Sequence, residues 1–287
     1  MDNANVGIFR LKSLYSVGIK TFLLRKNSRG EKLKRQQLEK IYPIGAILIL
    51  LLLWQAGVGL GFVDTFSIPS PFAICMALFY EKYVLLEHLA ITLLEGFLGV
   101  LLSAILAIAI AVLMNLSQAV KHTIYPLLVF SQTVPIIVLA PLFAMWFGFG
   151  ILPKIVVVTL ICFFPITVSI TEGFSEVDPE LIDMMRSMGA SKYHIFTKVQ
   201  FPAVLGPFFS GLKIAVTYSI MGAIIGEWMG GSGGIGVYMM RVKSSFAYDK
   251  MFAAIVLISL ISFLLFKLIG GIQRIVTPWS YCDIEKE

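Results

Sequence analysis

Long apolar runs alternate with short polar segments along this chain. Six of the runs, each about 20 residues or more and thus long enough to cross a hydrocarbon core, lie at residues 42–62, 89–114, 124–147, 152–172, 203–227 and 251–273. We therefore predict an all-α polytopic membrane protein with six transmembrane helices.

Composition agrees with this class, since 58% of the residues are hydrophobic and 14% are charged. We predict three regions: a basic N-terminal segment at 1–40, a transmembrane domain at 41–280 and a short tail at 281–287. Within the first region, residues 9–24 space apolar residues among lysines. That pattern is typical of an amphipathic helix on an anionic membrane surface, or of a basic tail that only enforces topology.

The distribution of lysine and arginine predicts the orientation. Sixteen of these residues lie in the N-terminal segment, in the loops after the second and fourth runs and in the tail, against five in the opposite loops. Because cytoplasmic loops are enriched in Lys and Arg, both termini and the 173–200 loop are expected in the cytoplasm. This sorting also accounts for the net charge of +6, so the charge does not indicate nucleic-acid binding.

Residues 175–202 form a polar segment with helix start and stop signals. Asp178 is a favourable N-cap and Pro179 suits the first helical position. Leu181, Met184, Met185 and Met188 follow at helical spacing and predict one apolar stripe. Gly189 ends this helix, and Ser191 caps a second one that Pro202 ends. A short amphipathic helix in an aqueous loop predicts a docking surface.

The third run is interrupted by prolines and polar residues. Gln132 and Thr133 precede Pro135, and each internal proline frees a helical carbonyl. These three residues are candidates for the lining of a solute pathway. Alternatively, the site is a packing kink in which Ser131 and Thr133 bond back to their own helix.

The fifth run carries several polar residues and a pair of glycines. Lys213, Thr217 and Tyr218 are further pathway candidates, because a lysine in a span costs about 2.5–3.5 kcal/mol unless it reaches water or a partner. Gly222 and Gly226 form a small-xxx-small pair that favours close helix packing or a dimer contact. We expect Glu95 in the second run to make a polar helix–helix contact, and the glycine-rich residues 230–236 to form a flexible external turn.

The sequence lacks the motifs of several common classes of catalytic and nucleotide-binding site. The chain contains no G-x-x-x-x-G-K-[ST] loop for ATP, no H-E-x-x-H motif and no G-x-S-x-G motif. Its three cysteines are scattered without metal-ligand spacing. We predict that the chain is not an enzyme and binds no metal or cofactor itself.

The 183–202 segment resembles the EAA loop of binding-protein-dependent ABC importer permeases. That pattern is E-A-A, three residues, Gly, nine residues and I-x-L-P. Here it reads Asp183-Met184-Met185, Gly189, Val199, Phe201 and Pro202. The resemblance covers about residues 41–280 and identifies them as a permease domain.

The resemblance implies a multi-subunit importer in the inner membrane. Its expected partners are two ABC ATPase subunits that bind ATP–Mg, an extracytoplasmic solute-binding protein, membrane lipid and a second permease copy, so that a homodimer surrounds the pathway. The residues that it assigns to ATPase coupling are Asp178, Pro179, Leu181, Asp183, Met184, Met185, Arg186, Met188, Gly189, Ala190, Ser191 and Pro202.

Residues 226–255 and the ending at Thr277-Pro278-Trp279 resemble one branch of this family, which carries nitrate, taurine, alkanesulfonates and thiamine-pyrimidine precursors. We expect a hydroxymethylpyrimidine-type thiamine precursor first, and taurine, alkanesulfonate or nitrate second. A secondary transporter or channel without an ATPase is the alternative of another class.

Overall fold

The computed structural model describes residues 42, 45–62, 64 and 68–281. The basic segment 1–40 with its candidate amphipathic helix, and tail residues 282–287, lie outside the described residues. The chain divides into two compact units, residues 1–71 and residues 72–287. The first unit contributes helix α1 (Gly45–Gly59), after which the chain turns at Gly61 with φ +79°.

All regular elements of the described residues are helical, which confirms the all-α prediction. After α1 they are α2 (Pro71–Tyr80), α3 (Lys82–Leu116), α4 (Gln118–Ser131), α5 (Ile136–Phe147), α6 (Ile151–Ser175), α7 (Pro179–Ser187), α8 (Lys192–Ile195), a π-helical turn (Phe196–Gln200), α9 (Phe201–Trp228), α10 (Ile235–Ser244), α11 (Tyr248–Val276) and a 3₁₀ turn (Pro278–Tyr281).

Four helical stretches of the described residues are long and apolar enough to cross a membrane: α3, α6, Lys192–Trp228 and α11. The pair α4 and α5 adds a fifth if it is counted as one broken span. Helix α1 is apolar but shorter, so the count of six spans stays a prediction.

The third predicted span is two helices with a bend of 97° between them, a sharper break than the predicted kink. Pro135 has no N–H to donate and lies directly before α5. Two side chains satisfy carbonyls of α4: Ser131 Oγ donates to Leu128 O at 2.7 Å and Thr133 Oγ1 to Phe130 O at 2.8 Å. The local back-bonding that the sequence offered as an alternative is therefore present at this break.

Pro202 does not end a short helix, in contrast to the prediction. The chain runs helically from Lys192 to Trp228 as one stretch of 37 residues. A π-helical turn at Phe196–Gln200 directly precedes α9, and Pro202 is the second residue of that helix. A missing N–H is tolerated at that position, so the helix continues.

The core lies where α3, α6 and α9 pack together around small residues. A Cβ added to Gly222 would lie 3.3 Å from the Val158 Cα, and one added to Gly226 would lie 3.1 Å from the Lys154 Cα. Both glycines therefore face α6 of the same chain, where they permit close approach of the two backbones. This packing holds α9 firmly against the middle of the bundle.

Candidate functional site

The predicted amphipathic helix is α7, and local contacts define both of its ends. The Asp178 carboxylate accepts from the Glu180 N–H at 2.9 Å. At the other end Gly189 has φ +79°, and the Ala190 N–H donates to the Met185 carbonyl at 3.0 Å. This left-handed glycine is the usual way to stop a helix.

The apolar stripe of α7 is largely exposed. Leu181, Met184 and Met188 are 39%, 54% and 79% exposed, and Met185 is half-buried. We call Leu181, Met184 and Met188 the α7 apolar surface. Large exposed apolar side chains on an otherwise polar helix mark an interaction site.

Charged residues lie beside this surface. Asp183 and Arg186 form an i,i+3 ion pair at 3.1 Å, with side chains 71% and 67% exposed. Such an exposed pair contributes about 0–1 kcal/mol to stability. Both groups therefore remain available for a partner.

The segment after Gly189 joins the loop directly to the membrane helices. The Ser191 hydroxyl accepts from the His194 N–H at 3.3 Å and starts α8. Within the π-helical turn, Gln200 Oε1 accepts from Asn115 Nδ2 of α3 at 3.2 Å. Phe196 lies with its ring centre 6.2 Å from that of Phe174 on α6. These contacts connect the segment after Gly189 with α3 and α6.

A large cavity of about 1130 Å³ lies between α4, α5, α6 and α9. Of the pathway candidates, Gln132, Pro135 and Tyr218 line it. Thr133 instead bonds to its own helix. The structure thus brings together one half of the predicted pathway set.

The other two pathway candidates lie between α9 and α11. Thr217 lines a second, open cavity of about 430 Å³ together with Ser259 and Ser262. The Lys213 Nζ lies 5.9 Å from the centre of the Phe266 ring. Lys213 lines neither cavity, and its aliphatic stem passes close to Gly270.

The lining of the large cavity is mostly apolar and contains several aromatic rings. Its described lining residues include the rings of Phe130, Phe163, Phe164 and Tyr218 and the polar groups of Ser131, Gln132 and Ser169, and none of them is charged. An apolar cavity with a few polar groups is typical of small-molecule sites.

A buried polar cluster lies at the opposite end of α9, and only the Glu95 contact in it was predicted from the sequence. Glu95 on α3 pairs with Lys154 on α6 at 2.6 Å, so Glu95 does make the expected helix–helix contact. Glu227 on α9, 1% exposed, accepts from Thr92 Oγ1 at 2.6 Å. Polar residues inside apolar runs were the signal, but their partners are distant in sequence.

The glycine-rich residues 230–236 are not a free flexible turn. The Gly234 N–H donates to His88 Nδ1 at 3.1 Å and the Ile235 N–H donates to Thr92 Oγ1 at 2.8 Å. The turn is buried from Gly233 to Gly236. Glycine serves here to bring the backbone close to buried polar side chains.

Residues 99–279 match the family described as binding-protein-dependent transport system inner membrane component. The chain belongs to this family. The match covers α4 to α11 and the second half of α3, and therefore includes the α7 loop and both cavities. The protein is accordingly a permease subunit of an ABC importer and not an enzyme.

Curated relatives resemble the permease over most of its length. It is 34% identical over 246 residues to the formylaminopyrimidine transport permease protein ThiX of Halalkalibacterium halodurans, which covers 85% of this chain and 98% of the relative. It is 29% identical over 234 residues to the putative aliphatic sulfonates transport permease protein SsuC of Bacillus subtilis, covering 80% and 84%.

Solved structures share the fold of the permease. A chain of the MetNI methionine ABC transporter, in inward-facing conformations, matches with a TM-score of 0.59 and 20% identity, covering 68% of this chain and 97% of that chain. The likeness confirms the helical permease architecture.

Proposed function

We propose that α7 is the coupling helix of this permease and docks into a cleft of a separate ABC ATPase subunit. The carrying observation is the α7 apolar surface, whose three large side chains are exposed on a helix that ends at a left-handed glycine. Burying about 25 cal/mol per Å² of such surface against a partner is favourable. Asp183 and Arg186 then lie at the rim of the contact and orient it.

We propose two ATPase subunits, each with ATP–Mg, on the cytoplasmic side, and a second copy of this chain across the pathway. The chain has no P-loop of its own, which is consistent with ATP on the partner. The excess of basic residues in the loops on the α7 side supports cytoplasmic termini. An extracytoplasmic solute-binding protein then delivers the solute to the opposite face.

The first candidate solute is a pyrimidine precursor of thiamine. A relative of this chain carries the name of a formylaminopyrimidine permease. The described lining of the large cavity carries no charged side chain and includes four aromatic rings, which favours a neutral ring that stacks on Phe and Tyr side chains.

Taurine, alkanesulfonates and nitrate form the second candidate class, which the resemblance to an aliphatic sulfonates permease supports. An anion that leaves water needs a compensating positive group. The described lining of the large cavity offers no such group. We therefore rank the neutral pyrimidine above these anions as the candidate solute.

The test is ATP hydrolysis by the reconstituted importer. The permease is purified in nanodiscs with the ATPase and the solute-binding protein encoded beside it, and loaded receptor is added with each solute in turn. Stimulation by hydroxymethylpyrimidine or formylaminopyrimidine supports the first candidate. Stimulation by taurine, an alkanesulfonate or nitrate replaces it with the second, and failure to bind any ATPase overturns the coupling role of α7.

A further inference from the structure

The backbone N–H groups at the start of helix α10 donate hydrogen bonds to side chains of other helices. Its first backbone donors are satisfied in turn: the Gly234 N–H by His88 Nδ1, the Ile235 N–H by Thr92 Oγ1, and the Gly236 N–H by Glu227 Oε2. His88 and Thr92 lie on α3, and Glu227 lies in the last turn of α9. The start of α10 is therefore capped from two membrane helices rather than by its own sequence.

Glu227 is the centre of this arrangement. Its Oε1 accepts from the Thr92 hydroxyl at 2.6 Å while its Oε2 accepts from α10. The turn fits tightly around the carboxylate: a Cβ at Gly234 would overlap it, and a Cβ at Gly236 would lie 2.8 Å from Oε2. Gly234 also has φ +111°, a conformation that side chains disfavour.

The electrostatics of Glu227 tie it to α10. A carboxylate in the last turn of a helix faces the negative end of its own helix dipole, whereas at the first turn of another helix it faces the positive end. Glu227 occupies both positions at once. If the end of α9 moved without α10, the buried Glu227 carboxylate and the Gly236 N–H would lose each other as partners, which is costly.

The same cluster reaches α6. A Cβ at Gly231 would lie 3.0 Å from Lys154 Nζ and 3.1 Å from the Glu227 carbonyl oxygen. Lys154 in turn pairs with Glu95 at 2.6 Å. The glycine turn thus lies against side chains of all three core helices.

The opposite end of α9 leads to the coupling loop. The helical stretch Lys192–Trp228 has 37 residues, a rise of about 55 Å at 1.5 Å per residue. It begins three residues after Gly189 and ends one residue after Glu227. One continuous element therefore joins the α7 loop to the cap of α10.

We propose that Glu227 is a positioning residue through which α9 and α10 move together, so that ATP-driven movement of the α7 loop changes the surface that α10 presents to the solute-binding protein. This inference rests on the proposed function. On this view, the hydrogen bonds that Glu227 and Thr92 make to the start of α10 link ATPase activity to receptor binding, in addition to stabilising the fold.

The test separates coupling from folding in the reconstituted importer. Thr92→Val removes the hydroxyl at nearly constant shape, Thr92→Ser retains it, and Glu227→Gln removes the charge. Glu87→Gln is the matched control, because Glu87 lies on the same end of α3 and is exposed. For each variant, basal ATPase activity, activity with loaded receptor and the thermal midpoint are measured.

We expect Thr92→Val and Glu227→Gln to lower the ratio of stimulated to basal activity about tenfold, a usual size for coupling between sites. Basal activity should stay near wild type, and Thr92→Ser and Glu87→Gln should keep the wild-type ratio. A wild-type ratio in Thr92→Val and Glu227→Gln overturns the inference and leaves the proposed function standing. A proportional fall of both activities with the thermal midpoint also overturns it, since the cap then only holds the fold. A wild-type importer that no receptor stimulates overturns the proposed function first.

Discussion

Lys154 of α6 donates to Glu95 Oε1 of α3 at 2.6 Å, and the two side chains are 7% and 2% exposed. The pair joins two core helices inside an apolar bundle. Removing one partner of such a pair is more harmful than removing both, because the remaining charge keeps its desolvation cost without its attraction.

Lys154→Met should therefore destabilise the permease by about 3–5 kcal/mol. The double variant Lys154→Met/Glu95→Gln should recover part of this loss, because the Glu95 charge that paired with Lys154 is removed as well. The measurement is a double-mutant cycle of unfolding in detergent, with Lys243→Met as the control because Lys243 is exposed. Additive effects of the two single changes would contradict the prediction.

A tight contact between α9 and α6 at Gly211 supplies a second prediction. A Cβ at Gly211 would lie 2.7 Å from the Pro165 carbonyl oxygen and 2.9 Å from the Ser169 Cβ. Gly211→Ala should thus destabilise the protein by about 1–3 kcal/mol through overpacking, seen as a lower thermal midpoint.

Gly271→Ala is the matched control for that change. Gly271 is also helical, in α11, and a Cβ there meets no atom within 4 Å. Alanine should be neutral there, or stabilising by up to about 1 kcal/mol, because it is the better helix former. Equal midpoints for the two variants would contradict the steric argument.

The helix α7 and both of its ends were predictable because their signals are local. Asp178 caps the N–H of a residue two positions later, and Gly189 ends the helix by its own backbone conformation. Such signals act within one helical turn. The prediction that Pro202 ends the second short helix was wrong, because nothing in the sequence of residues 196–200 marks a π-helical turn.

The buried cluster was not predictable in the same way. Thr92 and Glu227 lie 135 positions apart, and Glu95 and Lys154 lie 59 apart. A single sequence shows that a polar residue interrupts an apolar run, but the partner depends on how the helices pack. For the same reason, the prolines at the third span predict a kink while the size of the bend follows from tertiary contacts.

The exposed pair Asp183–Arg186 allows the docking role of α7 to be separated from its internal stability. Exchanging the two residues, in Asp183→Arg/Arg186→Asp, keeps an i,i+3 pair and should change stability by only about 0.5 kcal/mol or less. A partner that contacts both charged groups would find the positive and the negative charge exchanged. We expect normal permease abundance, weak ATPase co-purification and little solute uptake. Full uptake in the exchanged variant would show that the pair serves α7 alone.

Substitutions at Gly189 test whether the end of α7 needs a residue that adopts left-handed backbone or merely a small residue. Its φ is +79°, and a Cβ at this position meets no atom within 4 Å. Gly189→Ala should cost about 1–2 kcal/mol locally, because left-handed backbone disfavours alanine. Gly189→Asn should cost less, because asparagine adopts this conformation more readily. We therefore expect solute-dependent ATP hydrolysis in the assembled importer to fall in the order Gly, Asn, Ala, at equal permease abundance. Equal activity of the alanine and asparagine variants would show that the helix ends for another reason, since the two side chains differ here in backbone preference and have the same open space around them.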